Sequence, residues 1–328
     1  MKCREKRSSS LLLIGVWINR NWVLGNLIKE INVRLRSHTR LWWVFSVFAG
    51  KHSWEKFVSF ALPKSGSYFF SYPSIFEHYL TSKKSLFFEK SLVFYTHQDS
   101  ELGSLRHQAE VLNNAYKIYF MCKHDADSLV SNGLSINKVR VVYFGLDTEC
   151  VKIDFDKSFR PTILLASRYG ERKGLSILPS LVGSMPDWRF IVLGRGWETF
   201  IAENELSQLE NFEYHEFSKS TRTKYMSQAN VFLSLSNLEG GPVPLLESMF
   251  HGAWPVVTNT GFAPDLIQHG ENGILLGLNP TINEVKEAIL KAKSLTGNPQ
   301  DTVRELTWDR ISRFVIQDHA AILNRLRA

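Results

Sequence analysis

The 328-residue sequence has few cysteines and none of the spacings by which cysteines usually build a site. Its three cysteines, Cys3, Cys122 and Cys150, form no C-x-x-C pair and have no histidine cluster beside them. This pattern argues against a disulfide scaffold and a structural zinc site, and it indicates a reducing compartment.

Long apolar runs are also missing from the sequence. No segment reaches the roughly 18 apolar residues that a helix needs to span a bilayer. A basic start, residues 2–7, is followed by the apolar residues 11–17, as in a signal peptide, but no small-residue cleavage site follows. We therefore interpret residues 11–17 as a buried first strand.

Charge is unevenly distributed along the chain. Residues 1–160 carry 23 Lys and Arg against 14 Asp and Glu, a net charge of +9. Residues 161–328 carry 16 against 18, a net charge of −2, and the two halves together give the overall +7. The asymmetry suggests two domains with different partners, and the polar, proline-ended stretch 148–161 is the expected linker.

The second half alternates short apolar strands with amphipathic helices. Continuous apolar strands of this kind are typical of a parallel, doubly wound sheet. Ligands bind such sheets at the carboxyl ends of the strands. The predicted strands are 162–166, 188–193, 212–217, 231–235, 254–258 and 273–276, and the predicted helices are 175–182, 200–209, 220–229, 284–294 and 310–327.

The first half is harder to assign. Residues 11–17, 92–96 and 139–144 are predicted strands, and residues 24–33 and 101–112 are predicted helices. The aromatic-rich residues 42–95 receive no further assignment.

Aromatic runs at 42–48, 68–72 and 86–90 lie beside basic residues in the first half. Aromatic and basic side chains together are typical of a surface that contacts a membrane interface. They could equally be core residues with a charged rim, and for each residue the core is the favoured interpretation. The net charge of +9 nevertheless favours some membrane contact, so both interpretations are kept. The basic neighbours are Arg34, Arg36, Arg40, Lys83 and Lys84.

The most informative motif is the turn at residues 239–247, where Glu239 and Glu247 flank Gly240-Gly241-Pro242. It follows the predicted strand 231–235 and opens an apolar helix. The start of a helix presents unpaired N–H groups and the positive end of the helix dipole, which suits an anion such as a phosphate. The carboxylates are acceptors suited to sugar or ribose hydroxyls.

Arg168 and Lys173 follow the predicted strand 162–166. Two cations at a strand end, beside a glycine that opens a helix, suit a diphosphate, because Arg binds it in a fork and Lys acts as a point charge. A solvated basic turn is the alternative, and the nearby glutamate motif favours the diphosphate.

Gly194 and Gly196 form a G-x-G turn after the predicted strand 188–193. No third glycine follows at dinucleotide-binding spacing, so we interpret it as a tight turn that lets a nucleotide pass close to the backbone. No Walker, H-E-x-x-H or G-x-S-x-G sequence is present.

His97 follows the predicted strand 92–96. At a strand end it could donate to a sugar hydroxyl or to a developing charge. A loop histidine with a structural hydrogen bond is the alternative.

Together these motifs resemble one family, the retaining GT-B glycosyltransferases of the family 4 type, or glycosyl transferases group 1. Glu239 and Glu247 match its E-x7-E signature, and Arg168 and Lys173 match its R-x4-K. The turn at 194–196 matches its I-x-G-x-G. Residues 143–147, 261–265, 270–273 and the tail from Trp308 resemble further family segments, so the resemblance is good from about 120 onwards and thin before that.

The resemblance implies two Rossmann-like, doubly wound parallel-sheet domains that face a cleft. Residues 1–150 would form the acceptor-side domain, residues 151–310 the nucleotide-sugar domain, and residues 311–328 a helix returning to the first domain. Glu239 would contact the donor sugar and Glu247 the ribose. The diphosphate would be held by Arg168 and Lys173, His97 would lie near the transferred sugar, and the remaining donor contacts would come from Gly240, Gly241, Pro242, Gly194, Gly196 and Leu245.

The implied activity is that of a hexosyltransferase-like enzyme (EC 2.4) that transfers a sugar from a nucleoside diphosphate with retention at the anomeric carbon. The family generally needs no metal and no cofactor. A lipid-linked saccharide or a surface polysaccharide, as in lipopolysaccharide biosynthesis, is the expected acceptor. The basic first half suggests peripheral contact with an anionic membrane, and we expect a cytoplasmic protein at the inner face of the plasma membrane.

One other function remains open. The family often has a Gly-Gly loop after its first strand, whereas residues 17–22 contain none. This departure keeps open a non-catalytic nucleotide-sugar-binding or scaffold subunit with a degenerate N-terminal domain. Nucleic-acid binding is not expected, because no recognised motif accompanies the basic charge.

Overall fold

The structure is a computed structural model that describes residues 10–16, 23–35, 40–46, 66–96, 102–146, 160–326 and 328. The chain forms two units, one of Met1–Gly145 with Trp308–Ala328 and the other of Leu146–Thr307. The expected linker 148–161 lies almost entirely outside the described residues.

The first unit is built on a parallel sheet of six strands in the order β2-β1-β3-β4-β5-β6. All described side chains of the third, fourth and fifth strands are buried, except for Lys117 at the start of the fifth. Burial on both faces explains why these strands read as continuous apolar runs. The strands are β1 Ser10–Val16, β2 Arg40–Ser46, β3 Gly66–Phe70, β4 Ser91–Tyr95, β5 Lys117–Phe120 and β6 Val139–Val141, and the helices are α1 Val23–Leu35, α2 Pro73–Phe87, α3 Leu105–Leu112 and α4 Lys123–Ser131.

The second unit has its own six-stranded parallel sheet, in the order β12-β11-β10-β7-β8-β9. The strands are β7 Thr162–Ala166, β8 Arg189–Gly194, β9 Phe212–Glu216, β10 Val231–Ser234, β11 Trp254–Thr258 and β12 Ile274–Leu276. The helices are α5 Leu178–Gly183, α6 Glu198–Glu203, α7 Lys219–Gln228, α8 Val243–Phe250, α9 Ala263–Leu266, α10 Ile282–Ala292 and α11 Pro299–Val303. The prediction of two parallel α/β domains is therefore confirmed.

Several predicted elements have different ends in the structure. The helix expected from residue 101 begins at Leu105, because Gly103 is left-handed and Ser104 caps the helix by accepting from His107 N. The helix expected at 200–209 is interrupted by Glu205, which has a φ of 51°. The strand expected at 139–144 ends at Val141, just before Tyr143 with a φ of 55°.

The aromatic run at 68–72 belongs to the core. Tyr68, Phe69 and Phe70 lie in β3 and are fully buried. Phe87, at the end of α2, packs edge-on against Tyr68 and Phe70 with ring centroids 4.8 and 5.7 Å apart. Phe88 is different, since 46% of it is exposed. The strand β3 and the helix α2 occupy part of the stretch that the sequence left unassigned.

The last helix, α12 Trp308–Arg325, packs on the first unit. Trp308 lies edge-on to Phe144 at 4.6 Å, and a Cβ on Gly145 would approach its indole to 2.5 Å. Asp318 of the same helix accepts from Tyr119 Oη at 2.6 Å and from Arg140 Nη2 at 3.0 Å. A buried carboxylate held by two donors from neighbouring strands fixes the register of this helix.

Among the described residues, no helix combines the length and the apolar character needed to cross a bilayer.

The stability of the first unit is expected to depend on the protonation of His319. This histidine of α12 is buried, its Nδ1 lies 2.6 Å from Ser67 Oγ, and burial lowers its pKa from 6.5 to about 4. Between those two pH values the unfolded chain binds a proton that the folded unit does not. The free energy of unfolding should therefore fall as the pH drops from 6.5 to 4, by up to about 3 kcal/mol.

Urea denaturation of the wild type and of His319→Gln at pH 7, 6, 5 and 4.5 measures this dependence. The variant should lose much of the slope over this window, whereas a His124→Gln control on the exposed face of α4 should keep it. Parallel slopes in wild type and His319→Gln would contradict the assignment.

Candidate active site

The two charged motifs of the second half emerge at the point where the strand order of the second sheet reverses. Strands β7 and β10 lie side by side, with Val231 opposite Ile163 and Phe232 opposite Leu164. In open parallel sheets, ligands bind outside the carboxyl ends of the strands at this reversal. Arg168 and Lys173 follow β7, and Glu239 follows β10, so the fold brings them to one place.

The turns after β7 and β10 are in direct contact. Gly174 is left-handed with a φ of 64°, and a Cβ there would lie 2.1 Å from the carbonyl oxygen of Leu235. Asn237 N donates to Arg172 O at 2.8 Å, and Arg172 Nη1 donates to Leu238 O at 3.2 Å. These contacts fix the position of Lys173 relative to Glu239.

Lys173 and Glu239 form an ion pair across this contact. Only 14% of the lysine side chain and 10% of the glutamate side chain are exposed. Weak screening at such a site strengthens the attraction, while each charge needs a partner because it is largely removed from water. A diphosphate bound here would compete with Glu239 for Lys173. Arg168 is exposed at the end of β7, where its guanidinium can reach a ligand.

The glycine turn between the glutamates is supported by the turn that follows β11. Glu239 N donates to Thr260 Oγ1 at 3.1 Å, and a Cβ on Gly261 would lie 2.8 Å from Gly240 O. Gly240 is buried and Gly241 is partly exposed, and Pro242 occupies the N-cap position of α8.

Leu245, which the resemblance assigns to the donor site, lies in the core. Its side chain is fully buried, and its N–H donates to Pro242 O at 2.9 Å. In the structure the Leu245 side chain packs in the core and its N–H stabilises the turn.

The G-x-G turn serves the packing of β7 against β8. A Cβ on Gly194 would lie 1.8 Å from Ser167 O, which also accepts from Trp197 Nε1 at 2.8 Å. Gly196 has a φ of 76°, and Tyr169 N donates to Arg195 O at 3.0 Å. The glycines thus allow the turn that carries Arg168 to sit directly on the end of β8.

Glu247 has a cationic partner that the sequence reasoning missed. Arg222 Nη1 donates to Glu247 Oε1 at 2.9 Å, and 17% and 14% of the two side chains are exposed. Arg222 lies in the first turn of α7, and Glu247 lies in the middle of α8. The capping pattern at Ser218 and Thr221 signals the start of α7 in the sequence. Nothing in the sequence indicates that α7 and α8 meet.

His97 lies outside the described residues, so its assignment to the transferred sugar stays a prediction. The described part of the chain contains no group of three or more His, Cys, Asp or Glu side chains that could hold a metal ion.

Comparison with known proteins adds a family and a fold. The sequence model of the family described as "Glycosyl transferases group 1" matches residues 152–305. A curated relative, sulfoquinovosyl transferase SQD2 of Arabidopsis thaliana, is 24% identical over 187 residues, which are 52% of this chain and 35% of that protein. The match thus spans about a third of the relative's length.

Two solved structures extend the likeness to nearly the whole chain. Anabaena Alr3699/HepE in complex with UDP-glucose is 15% identical with a TM-score of 0.75, over 95% of this chain and 99% of that one. Sucrose-phosphate synthase from Thermosynechococcus elongatus is 15% identical with a TM-score of 0.77, over 97% of this chain and 100% of that one. At this identity they establish the fold, and the predicted GT-B architecture is confirmed.

Replacing Gly174 by alanine should separate the two charged turns. A left-handed alanine costs about 1–2 kcal/mol, and its Cβ would also force the Leu235 carbonyl to move. We expect a loss of about 2 kcal/mol or more in the unfolding free energy, and weaker binding of inorganic pyrophosphate, measured by urea denaturation and calorimetric titration.

Gly170→Ala is the matched control, because Gly170 has an extended backbone and open space around its Cβ position. Equal effects of the two substitutions would show that the contact between the turns does not matter.

Proposed function

Because residues 152–305 match the model of the glycosyl transferases group 1, we propose that this chain transfers a sugar from a nucleoside-diphosphate sugar to a saccharide acceptor with retention at the anomeric carbon. The observation that carries the proposal is the contact of Lys173 with Glu239 at the point where the strand order reverses. Retention is proposed from the family resemblance alone.

The leaving diphosphate is assigned to Arg168, Lys173 and the start of α8. Arg168 can bind it in fork geometry, and Lys173 adds a positive charge close to the buried turn. Stabilising the negative charge that develops on a leaving diphosphate is a major source of catalysis. When Lys173 moves to the phosphate, Glu239 is released to contact the donor sugar. The ion pair therefore couples phosphate binding to the availability of Glu239.

Glu247 is assigned to the ribose of the donor. In Rossmann-like sites an acidic side chain accepts from the ribose hydroxyls. HepE, which shares the fold, was solved with UDP-glucose. We therefore propose a UDP-sugar as the first donor to test.

A lipid-linked saccharide or a growing surface polysaccharide is the proposed acceptor, at the inner face of the plasma membrane. Support comes from the net charge of +9 in residues 1–160 and from a patch in the first unit that we call the 88/326 patch. In it, Phe88 and Leu326, 46% and 45% exposed, lie with Lys90, Glu89 and Arg325 around one open cavity, and Arg325 Nη1 donates to Glu89 Oε2 at 3.2 Å. Exposed apolar side chains beside cations suit an anionic bilayer surface.

A thermal-shift panel with UDP, GDP, ADP and their common sugars, without added metal, tests the donor site. A clear rise with one nucleoside diphosphate supports the assignment and names the base, since a ligand that binds only the native state stabilises it by mass action. No shift at millimolar ligand would overturn the donor site.

Glu239→Gln separates an enzyme from a scaffold subunit. The variant should lose turnover by about 100-fold or more, measured as sugar transfer or donor hydrolysis. It should still bind the diphosphate at least as tightly as wild type, because Lys173 no longer has to leave a carboxylate. Glu287→Gln, on the exposed face of α10, is the matched control and should leave both properties unchanged. A wild type that binds nucleotide yet shows no turnover would favour the scaffold function.

Membrane contact is tested by flotation with neutral and anionic liposomes. The wild type should bind anionic vesicles and be released by salt, because the contact includes surface charge. Combining Phe88→Ser with Leu326→Ser should weaken binding about tenfold, from the lost burial of two apolar side chains. Leu290→Ser removes an exposed leucine of the second unit and should have no effect. Equal binding by both variants would exclude the 88/326 patch.

A further inference from the structure

The two glutamates of the donor turn are each held by a cation from a different part of the second unit. Lys173 comes from the segment after β7 and holds Glu239, whereas Arg222 comes from α7 and holds Glu247. The proposed chemistry gives a task to Lys173 but none to Arg222. We propose that Arg222 is a positioning residue that makes the donor site prefer a ribonucleotide over its 2′-deoxy counterpart, acting through Glu247. The proposal rests on the proposed nucleotide-sugar function.

The backbone that carries Arg222 is held rigidly. Ser218 Oγ accepts from Thr221 N at 3.1 Å, and Ser218 N donates to Thr221 Oγ1 at 2.8 Å, which closes a capping box at the start of α7. Thr221 Oγ1 also donates to Glu216 O at 2.9 Å, and Arg222 N donates to Ser218 O at 2.9 Å. The helix start is therefore tied to the end of β9, and Arg222 extends from a fixed point.

The geometry of the pair leaves the carboxylate able to bind a ligand. Arg222 Nη1 donates to Glu247 Oε1 at 2.9 Å. A carboxylate has two oxygens with about four acceptor positions, so this bond is compatible with bonds to ribose hydroxyls. The guanidinium therefore orients the carboxylate.

Holding Glu247 in advance lowers the cost of binding. Fixing a flexible glutamate side chain costs rotamer entropy, and a site whose side chains are already ordered binds more tightly. A small cavity of about 10 Å³ borders the pair and is lined in part by Met226, Phe250 and His251. Without Arg222, the Glu247 side chain loses the bond that holds its orientation. Hydroxyl recognition would then weaken.

A purely structural pair would behave differently. If Arg222 only tied α7 to α8, its loss would weaken every ligand and lower stability together. If Arg222 positions Glu247, its loss weakens ligands that have a 2′-hydroxyl and spares those that do not. Inorganic pyrophosphate, which has no ribose, isolates the phosphate part of the site at Arg168 and Lys173.

Calorimetric titrations of wild type, Arg222→Met, Arg222→Lys and Glu247→Gln with UDP, 2′-deoxy-UDP and pyrophosphate test the proposal. Wild type should prefer UDP over 2′-deoxy-UDP by about tenfold, the value of one hydrogen bond of about 1.4 kcal/mol. Arg222→Met should weaken UDP about tenfold and bring that ratio close to one, with pyrophosphate affinity unchanged within about twofold. Arg222→Lys should give an intermediate ratio.

Two further variants serve as controls. Arg222→Met combined with Glu247→Gln should be no weaker for UDP than Glu247→Gln alone, because both changes remove the same interaction. Arg304→Met removes an exposed arginine whose Nη1 lies 3.2 Å from Asp301 Oδ1 and should behave as wild type. If Arg222→Met does not fold, Arg222→Lys carries the same test.

An unchanged ratio of UDP to 2′-deoxy-UDP affinity in a folded Arg222 variant overturns the positioning role. An equal loss of pyrophosphate affinity overturns it too, in favour of a structural pair. A wild type that binds pyrophosphate and UDP normally leaves the proposed function standing in both cases. A wild type that binds no UDP overturns the proposed function and this inference together.

Discussion

The donor site depends on one packing constraint, the direct contact between the turns that leave β7 and β10. Because these strands are neighbours where the sheet order reverses, their following turns must share a small space. Gly174 makes this possible, since any larger residue would meet the Leu235 carbonyl. Once the turns touch, Lys173 and Glu239 are adjacent, and neither charge is well solvated. The chemistry of the site follows from that proximity.

A turn with two partly buried carboxylates needs two cations, and the fold supplies each from a different βα segment. Lys173 follows β7, and Arg222 follows β9. Removing a charge from water is costly unless a partner is present, which explains why each carboxylate is paired with a cation. The same pairs leave room for exchange, because a diphosphate can take Lys173 from Glu239. In the proposed function, charge neutralisation and ligand recognition thus use the same side chains.

The first unit shows how far sequence reasoning reaches in an aromatic-rich segment. From composition, Tyr68, Phe69 and Phe70 suit both a membrane surface and a core, because composition does not show which way a side chain points. Their burial in β3 is decided by α2 packing on the sheet, with Phe87 set edge-on to two of these rings. Helix α12 is held on the first sheet by the bonds of Asp318 to Tyr119 and Arg140. These contacts join residues far apart in the sequence, so local periodicity does not predict them.

Local features can be read from the sequence alone. They include the apolar strands at 162–166 and 254–258, the turn with Glu239 and Glu247, the cations Arg168 and Lys173, and the family that these motifs resemble. Those features depend on residues close together in the chain, where strand periodicity and turn chemistry act. Other features depend on the three-dimensional fold, namely that Arg222 pairs with Glu247, that Leu245 lies in the core, and that Gly194 packs on Ser167 O. The physical reason is that these contacts join separate βα segments. Strand order, which brings those segments together, is a property of the whole sheet and of no single segment.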